Sequence, residues 1–518
     1  MVTPEVGRYL AEVSRDVGRQ IGILVDRRGQ IEKIIVGTAR GIFLPDMSSD
    51  PSPLARLRGV RLIHTHLKEE PLSDEDLTDL TLLRLDWIAA IGVKSDGAPG
   101  LVHSAHLVAH NAEDHAWELS KPDSLYELGT DFLETIKAVE EEFARVRRAA
   151  SPAEGRDRAI LVHVAGRSSE SARESIAELE ELARTTGLVV VDTVIQKRGK
   201  VDPRFVVGRG KLKELIGRSM QLGAEMIVFD MNLTPGQVRA IADFTDLKIL
   251  DRTQVILDIF AQRARTTEAK RQVELAQLKY LLPRLAEKDT AMSRLTGGIG
   301  GRGPGETKLE INRRRARDKI HRLEREIEKI GQRRTLRRSL RKQHGLPVVS
   351  IVGYTNAGKS TLLNSLTNSE VLVENKLFAT LNPASRRLRF PKERDVIITD
   401  TVGLIRDLPP DLLSAFRATF EEVQDADLLV HVADVGSPHF EHRAEEVNRI
   451  LDQLELDHKR TILLFNKIDL VPSELVSNLC RIHRAIPICA HDTSTFGPLL
   501  SEMHQILWEE PLTAPVHG

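Results

Sequence analysis

The chain of 518 residues carries 74 Lys/Arg against 75 Asp/Glu, with 41% apolar and 4% aromatic residues, so overall charge points to no partner. Its two cysteines, Cys480 and Cys489, exclude a disulfide framework and fit a reducing cytoplasm, while no apolar run reaches the ~20 residues that span a bilayer. The length predicts about three or four domains at ~100–200 residues each, and the N-terminal "MVTPEVGRYLAEVSRD" lacks the apolar stretch of a signal peptide.

Residues 1–150 contain apolar runs of their own, "QIGILV" and "WIAAIGV". Between them "IHTHLKEEPLSDED" sets out His64, His66, Ser73 and Asp76, and Glu32 lies upstream in "QIEKIIVG". Two His and one Asp suit Zn²⁺, leaving a position for a water that a glutamate activates. The order Glu, H-x-H, S-x-x-D resembles the JAMM/RadC-type metal-binding arrangement, with a gap before the Ser one residue shorter than that pattern. The competing reading is a purely structural fold with satisfied histidines.

Near residue 150, "RAASPAEGRDR" reads as a linker. Beyond it "AILVHVA", "GLVVVDTVI", "AEMIVFD" and "DLKILD" read as buried strands alternating with amphipathic helices, a small α/β domain over 157–250. Residues 251–345 change character. In "TEAKRQVELAQLKYLLPRL", Val273, Ala276, Leu278, Leu281 and Leu282 approximate one helical stripe, and Ile320, Leu323, Ile327 and Ile330 repeat at coiled-coil-like spacing. The pattern predicts an antiparallel helical hairpin. "TGGIGGRGPGETKLE", Thr296 to Glu310, falls at its tip. The following helix is basic: residues 313–342 carry fourteen Lys/Arg and four Asp/Glu, a local charge of +10, which leaves −11 for the rest. Such asymmetry points to a polyanionic partner.

From residue 346 to 510, "PVVSIV", "VIITD", "LLVHVA", "TILLF" and "AIPIC" are buried-strand candidates alternating with helices. "GYTNAGKS" directly follows the first and satisfies G-x-x-x-x-G-K-[ST], so Gly353, Tyr354, Thr355, Asn356, Ala357, Gly358, Lys359 and Ser360 are assigned to the phosphates. The glycines let backbone N–H groups converge on phosphate oxygens, Lys359 supplies charge, and Ser360 offers a hydroxyl to Mg²⁺. "DTVGL" supplies Asp400, Thr401, Val402 and Gly403, the acid reaching the metal through water and the glycine amide facing the γ-phosphate. In "NKID", Asn466, Lys467, Ile468 and Asp469, the last carboxylate accepts two hydrogen bonds that guanine offers and adenine does not. "LFATLNP" offers Thr380 as the hydroxyl that closes over Mg²⁺. Lys359, Thr380 and Gly403 are the expected catalytic set, with Ser360 and Thr380 on the metal. Leu404 stands where a small GTPase often carries a water-orienting glutamine, which predicts slow unassisted hydrolysis.

Over roughly 157–510 the chain resembles the HflX GTPases, related to the Obg group within the TRAFAC GTPases. The resemblance rests on "VDPRFVVGRGKLKEL", "DRTQVILDIFAQRARTTEAKRQVELAQLKYLLPRL", "GGIGGRGPGETKLE", "GYTNAGKS", "LFATLNP", "DTVGLIRDLP" and "NKID". It implies binding of the large ribosomal subunit and splitting of stalled or idle ribosomes under stress, with the α/β domain and hairpin entering near the peptidyl transferase centre. Loop 296–306, lacking a following Lys-Ser/Thr, is then a flexible probe for crowded RNA, and helix 308–342 a salt-sensitive attraction to rRNA. The resemblance also carries GTP contacts onto Phe378, Ala379, Thr380, Leu381 and Asn382, and onto Cys489, Ala490 and His491. Asn382 replaces the family's usual Asp, and Cys489 its usual Ser.

The expected fold class is therefore α/β: a P-loop G domain with a parallel-rich sheet and helices on both faces at 346–510. It is preceded by the small α/β domain at 157–250, the hairpin at 251–345 and an extra α/β-type domain at 1–150. A cytoplasmic monomer using GTP and Mg²⁺ is expected. Two rivals are an ATP-dependent RNA-remodelling factor, for which no second Walker-type lysine motif exists in the sequence, and a metal-dependent hydrolase regulated by a GTPase.

Overall fold

The computed structural model describes residues 2–44, 57–109, 115–126, 132–149, 157–165, 169–245, 247–285, 308–343, 346–367, 384–390, 394–401, 403–406 and 423–509. The tip loop 296–306, Phe378 to Asn382 and Val402 lie outside them. The chain divides into two compact units, Met1–Arg252 and Thr253–Gly518.

The first unit opens with α1 (Pro4–Val17), started by the Thr3 cap with Pro4 in its first turn and stopped by Gly18 in the left-handed region. Strands β1 (Ile21–Asp26) and β2 (Ile31–Val36) form a hairpin; β3 (Val60–His66), α2 (Asp74–Leu82), β4 (Trp87–Val93), β5 (Pro99–Leu107), β6 (Trp117–Leu119) and β7 (Asp123–Ser124) follow, then α3 (Phe132–Ala149). The sheet order is β2-β1-β3-β4-β5-β6, with β7 on β5 and only the β3–β4 pair parallel among these neighbours. Because β3 and β4 are buried along their whole length, both faces must be covered. Odd-numbered Ile21, Ile23, Ile63 and Ile91 join Leu10 of α1, whereas Leu24, Leu62 and Ile88 join Leu77 and Leu80 of α2 and Ile136 of α3.

Still in the first unit, β8 (Arg158–Ala165), α4 (Ser169–Thr186), β9 (Val189–Lys197), α5 (Arg209–Leu222), β10 (Met226–Phe229), α6 (Pro235–Ala242) and β11 (Lys248–Asp251) build an all-parallel sheet of order β11-β10-β8-β9. Buried Arg252 meets Glu178 and, at 2.8 Å, Asp230, so its charge is neutralised where water is excluded.

In the second unit, α7 (Arg252–Arg263) leads to α8 (Thr267–Leu285) and the 36-residue α9 (Lys308–Gln343). Leu275, Leu278 and Leu282 pack with Ile320, Leu323 and Ile327, and Arg271–Glu326 (3.1 Å) and Lys279–Glu324 (2.8 Å) flank the seam. Leu281, expected on the apolar stripe, is 41% exposed; the 275–278–282 spacing keeps one face, and a residue one position before Leu282 is rotated ~100° off it.

The G domain comprises β12 (Val348–Gly353), α10 (Lys359–Thr367), β13 (Ala384–Phe390), β14 (Arg394–Asp400), β15 (Leu428–Asp434), α11 (Phe440–Gln453), β16 (Thr461–Asn466), α12 (Ser473–His483), β17 (Ile486–Pro487) and α13 (Gly497–His504). Its sheet runs β13-β14-β12-β15-β16-β17, parallel apart from the β13 edge, as expected of a P-loop α/β fold. Parallel strands end on one edge, and Gly353, Asp400 and Asn466 are the last residues of β12, β14 and β16. Three motifs far apart in sequence thus converge, which is how such sheets make ligand crevices.

Candidate functional site

At the end of β12 the chain turns through a loop that side chains would block. Gly353 has φ +153, and a Cβ there would lie 2.3 Å from the Val432 carbonyl; Gly358 has φ +94, and a Cβ would lie 2.2 Å from Asn466 Nδ2. Asn356 adopts φ 63 between them. The turn delivers Lys359 as the first residue of α10, buried, its Nζ donating to the Tyr354 carbonyl at 2.6 Å across the loop. Burial pushes this ammonium down to about 8, against the opposing pull of Asp400. Buried His431 on β15 is pushed to about 4, first by burial and then by Lys359.

Ser360 Oγ donates to Asp400 Oδ2 at 2.5 Å. A hydroxyl beside a carboxylate at a helix N-terminus is the oxygen donor set a hard divalent ion such as Mg²⁺ takes alongside phosphates. β14 carries Asp400 opposite Ile351 of β12, and Thr401 Oγ1 donates to the Ile351 carbonyl at 2.6 Å. The D-x-x-G segment is then laced to the loop: Thr355 N–H donates to the Leu404 carbonyl (2.9 Å) and Leu404 N–H to the Gly353 carbonyl (3.1 Å). Gly403 sits so close that a Cβ would meet Thr355 Cγ2 at 2.7 Å and Lys359 Nζ at 3.3 Å. Leu404 is buried, so its side chain has no access to a water-orienting role.

The NKID segment contributes a clamp that motif reading missed. Asn466 Nδ2 donates to the Ala357 carbonyl (2.8 Å) while its Oδ1 accepts from Ala490 N–H (2.9 Å). One buried amide therefore ties the phosphate loop to the Cys489–His491 loop. Ala490 is buried within the G-domain core, its amide bonded to Asn466. Lys467, at φ 63, donates to Asp434 at 2.7 Å. Asp469 is exposed on a short 3₁₀ turn, Ile468–Leu470. Burial, and in addition the Asp469 carboxylate it bonds, push the Cys489 thiol up, so these two loops meet at the same place. Asn466→Ala leaves Ala357 O and Ala490 N–H without that partner; we expect a loss of about 2–4 kcal/mol, read as a lower urea midpoint.

In the first unit, His64, His66 and Asp76 come together as a buried trio whose ligand atoms all lie within 4.8 Å. Glu32, expected beside them, is exposed on β2, three residues along the strand from Ile35, whose register row passes through Gly22 to His64. At ~3.3 Å per residue that is about 10 Å along the strand alone.

Three family models match the chain: "GTP-binding GTPase N-terminal" over 173–261, "GTP-binding GTPase Middle Region" over 263–341 and "50S ribosome-binding GTPase" over 348–467. The GTPase HflX of Caldanaerobacter subterraneus subsp. tengcongensis is 46% identical over 358 residues, covering 69% of this chain and 82% of that protein. The chain belongs to the HflX GTPases. The Escherichia coli HflX is 41% identical over 315 residues, 61% of this chain and 74% of its own. Among solved structures, the crystal structure of the SsGBP–GDP complex is 25% identical, covers 68% of this chain and 99% of that one, and has a TM-score of 0.38. As an HflX protein the chain is an enzyme that binds GTP and hydrolyses it to GDP and phosphate. Among the described residues no helix is long and apolar enough to cross a membrane.

Proposed function

We propose that this HflX GTPase couples GTP, bound with Mg²⁺ at residues 353–360, to association with the large ribosomal subunit and the separation of stalled or idle ribosomes. The observation that carries the nucleotide assignment is the convergence of Gly353, Lys359, Ser360, Asp400 and Gly403 at one sheet edge. Amides of the loop and Lys359 cradle the phosphates; Ser360 and Thr380 hold the ion, which supplies charge neutralisation at the β- and γ-oxygens. Asp469 reads the base, and Cys489–His491 frame it. The division of labour follows the segments: 346–510 hydrolyses, 251–345 reaches for RNA, and 157–250 supports it. Family matches to a model described as a 50S ribosome-binding GTPase support the partner.

Charge supports it too. On α9, Arg314, Arg315, Arg317, Lys319, Arg322, Arg325 and Lys329 are exposed, and neutralised phosphates release counterions, so binding weakens steeply with salt. We expect the protein to pellet with large subunits at least tenfold more tightly with a non-hydrolysable GTP analogue than with GDP. Sucrose gradients of assembled ribosomes should show free subunits only in the triphosphate state, and equal pelleting with both nucleotides would overturn the coupling.

A further inference from the structure

The family models begin at residue 173, and the domain before them contains the one cluster of potential metal ligands found among the described residues. His64 and His66 are two apart on β3 and so point to the same face of the sheet, the face that α2 covers. Asp76 reaches them from the first turn of α2, where Ser73 N–H and Oγ both donate to its Oδ2 at 2.7 Å and fix the carboxylate. His64 Nε2 lies 3.1 Å from Asp76 Oδ1 and 3.1 Å from His66 Nε2, and His66 Nε2 lies 3.4 Å from Asp76 Oδ2.

Those spacings have a specific meaning. Ligand atoms ~2.0–2.1 Å from a tetrahedral zinc stand about 3.3 Å from one another; the two histidine nitrogens are 3.1 Å apart, and each lies 3.1 or 3.4 Å from a different oxygen of the Asp76 carboxylate, close to that spacing. His66 Nδ1 lies 3.0 Å from the Glu70 carbonyl, a contact that orients the ring with Nε2 toward the cluster. Two imidazoles and a carboxylate thus converge where water is excluded, a donor set that zinc takes. The neighbouring positions are short side chains: Gly22 and Ala90 pair with His64, and Gly92 pairs with His66.

We propose that His64, His66 and Asp76 bind one Zn²⁺, with the fourth position open to water or an exogenous ligand. The surroundings favour a tie over a hydrolytic centre. Buried Gln20, two residues before Gly22 and on its face of the sheet, cannot ionise, and Glu32 is out on β2. The ion instead joins β3 to the start of α2. Leu82, the last residue of that helix, is buried with Leu212, Leu215 and Ile216 of α5, inside the region the first family model covers. The metal thereby fixes the helix through which the N-terminal domain meets the family's conserved architecture.

The test uses the full-length protein as purified, after exhaustive chelation, and after reloading with Zn²⁺ alone followed by gel filtration. We expect one zinc per chain after reloading, a melting temperature raised by about 5 °C or more over the chelated form, and a tetrahedral visible spectrum when Co²⁺ replaces zinc. Asp76→Asn and His66→Gln should each lose stoichiometric metal while leaving guanine-nucleotide affinity within twofold, which shows that the G domain is folded. Failure of the reloaded wild-type chain to retain metal, with the trio then held by protons alone, would overturn the proposal. So would zinc retention that both substitutions leave intact.

Discussion

Lys359→Ala is expected to lower kcat/KM for GTP by about 10²–10³-fold, the range seen when one preorganised donor to developing charge is removed. In the free protein the Lys359 Nζ has a single described hydrogen-bond acceptor, the Tyr354 carbonyl, and burial holds its pKa near 8. Triphosphate changes that balance by putting anionic oxygens where none stood, so binding favours the charged form and takes up protons where the free lysine is partly neutral. GTP affinity should therefore fall as pH climbs through about 8, and the alanine variant should lose that dependence. The stability sign runs the other way. Folded Lys359 gives up its proton below the ordinary value of 10.5, so between about 8 and 10.5 the unfolded chain binds more protons and the nucleotide-free protein gains stability with rising pH. Isothermal titration at pH 7 and pH 9 in buffers of different ionisation enthalpy measures the affinity and the proton uptake, and urea unfolding of the nucleotide-free protein at the same pH values measures the stability. A variant with undiminished kcat/KM would remove Lys359 from the chemistry.

Much of this is legible in the sequence, for reasons that differ by element. The P-loop is readable because each of its constraints falls on one residue: Gly353 and Gly358 have no alternative under the Val432 carbonyl and the Asn466 amide. The α/β class is readable because strands buried on both faces appear as unbroken apolar runs, as β4 does in "WIAAIGV". What escaped reading depends on contacts between segments. Asn466 clamping Ala357 to Ala490 spans 109 and 24 residues, and no local spacing encodes it. Leu275 in place of Leu281 at the α8–α9 seam was lost because two leucine-rich registers overlap within "LAQLKYLL". The His64–His66–Asp76 trio is half legible: H-x-H and S-x-x-D name its three members, but Glu32 is kept from them by strand register, which puts Gln20, not Glu32, on the His66 side of Gly22.

Asp469→Asn should exchange guanine for xanthine recognition. Asp469 stands exposed on its 3₁₀ turn, beside Cys489, with a carboxylate that only accepts hydrogen bonds from a base. Guanine answers with two donors, N1–H and the exocyclic amine. Asparagine offers one acceptor and one donor, so its amide meets the guanine amine donor to donor. Xanthine replaces that amine with a carbonyl, and the pairing is restored. Rejection of a ligand that leaves site groups unpaired runs to 10⁴-fold or more in sites built this way, so we expect GTP affinity to drop by about 10³-fold or more and xanthosine triphosphate to become the preferred substrate. The side chain keeps its size and still accepts from the Cys489 thiol, so the melting temperature should move little. Competition between the two triphosphates for a single fluorescent xanthosine nucleotide gives the ratio directly. A variant that still ranks GTP first would show that the base is read elsewhere, and the Cys489–His491 loop would be the next place to look.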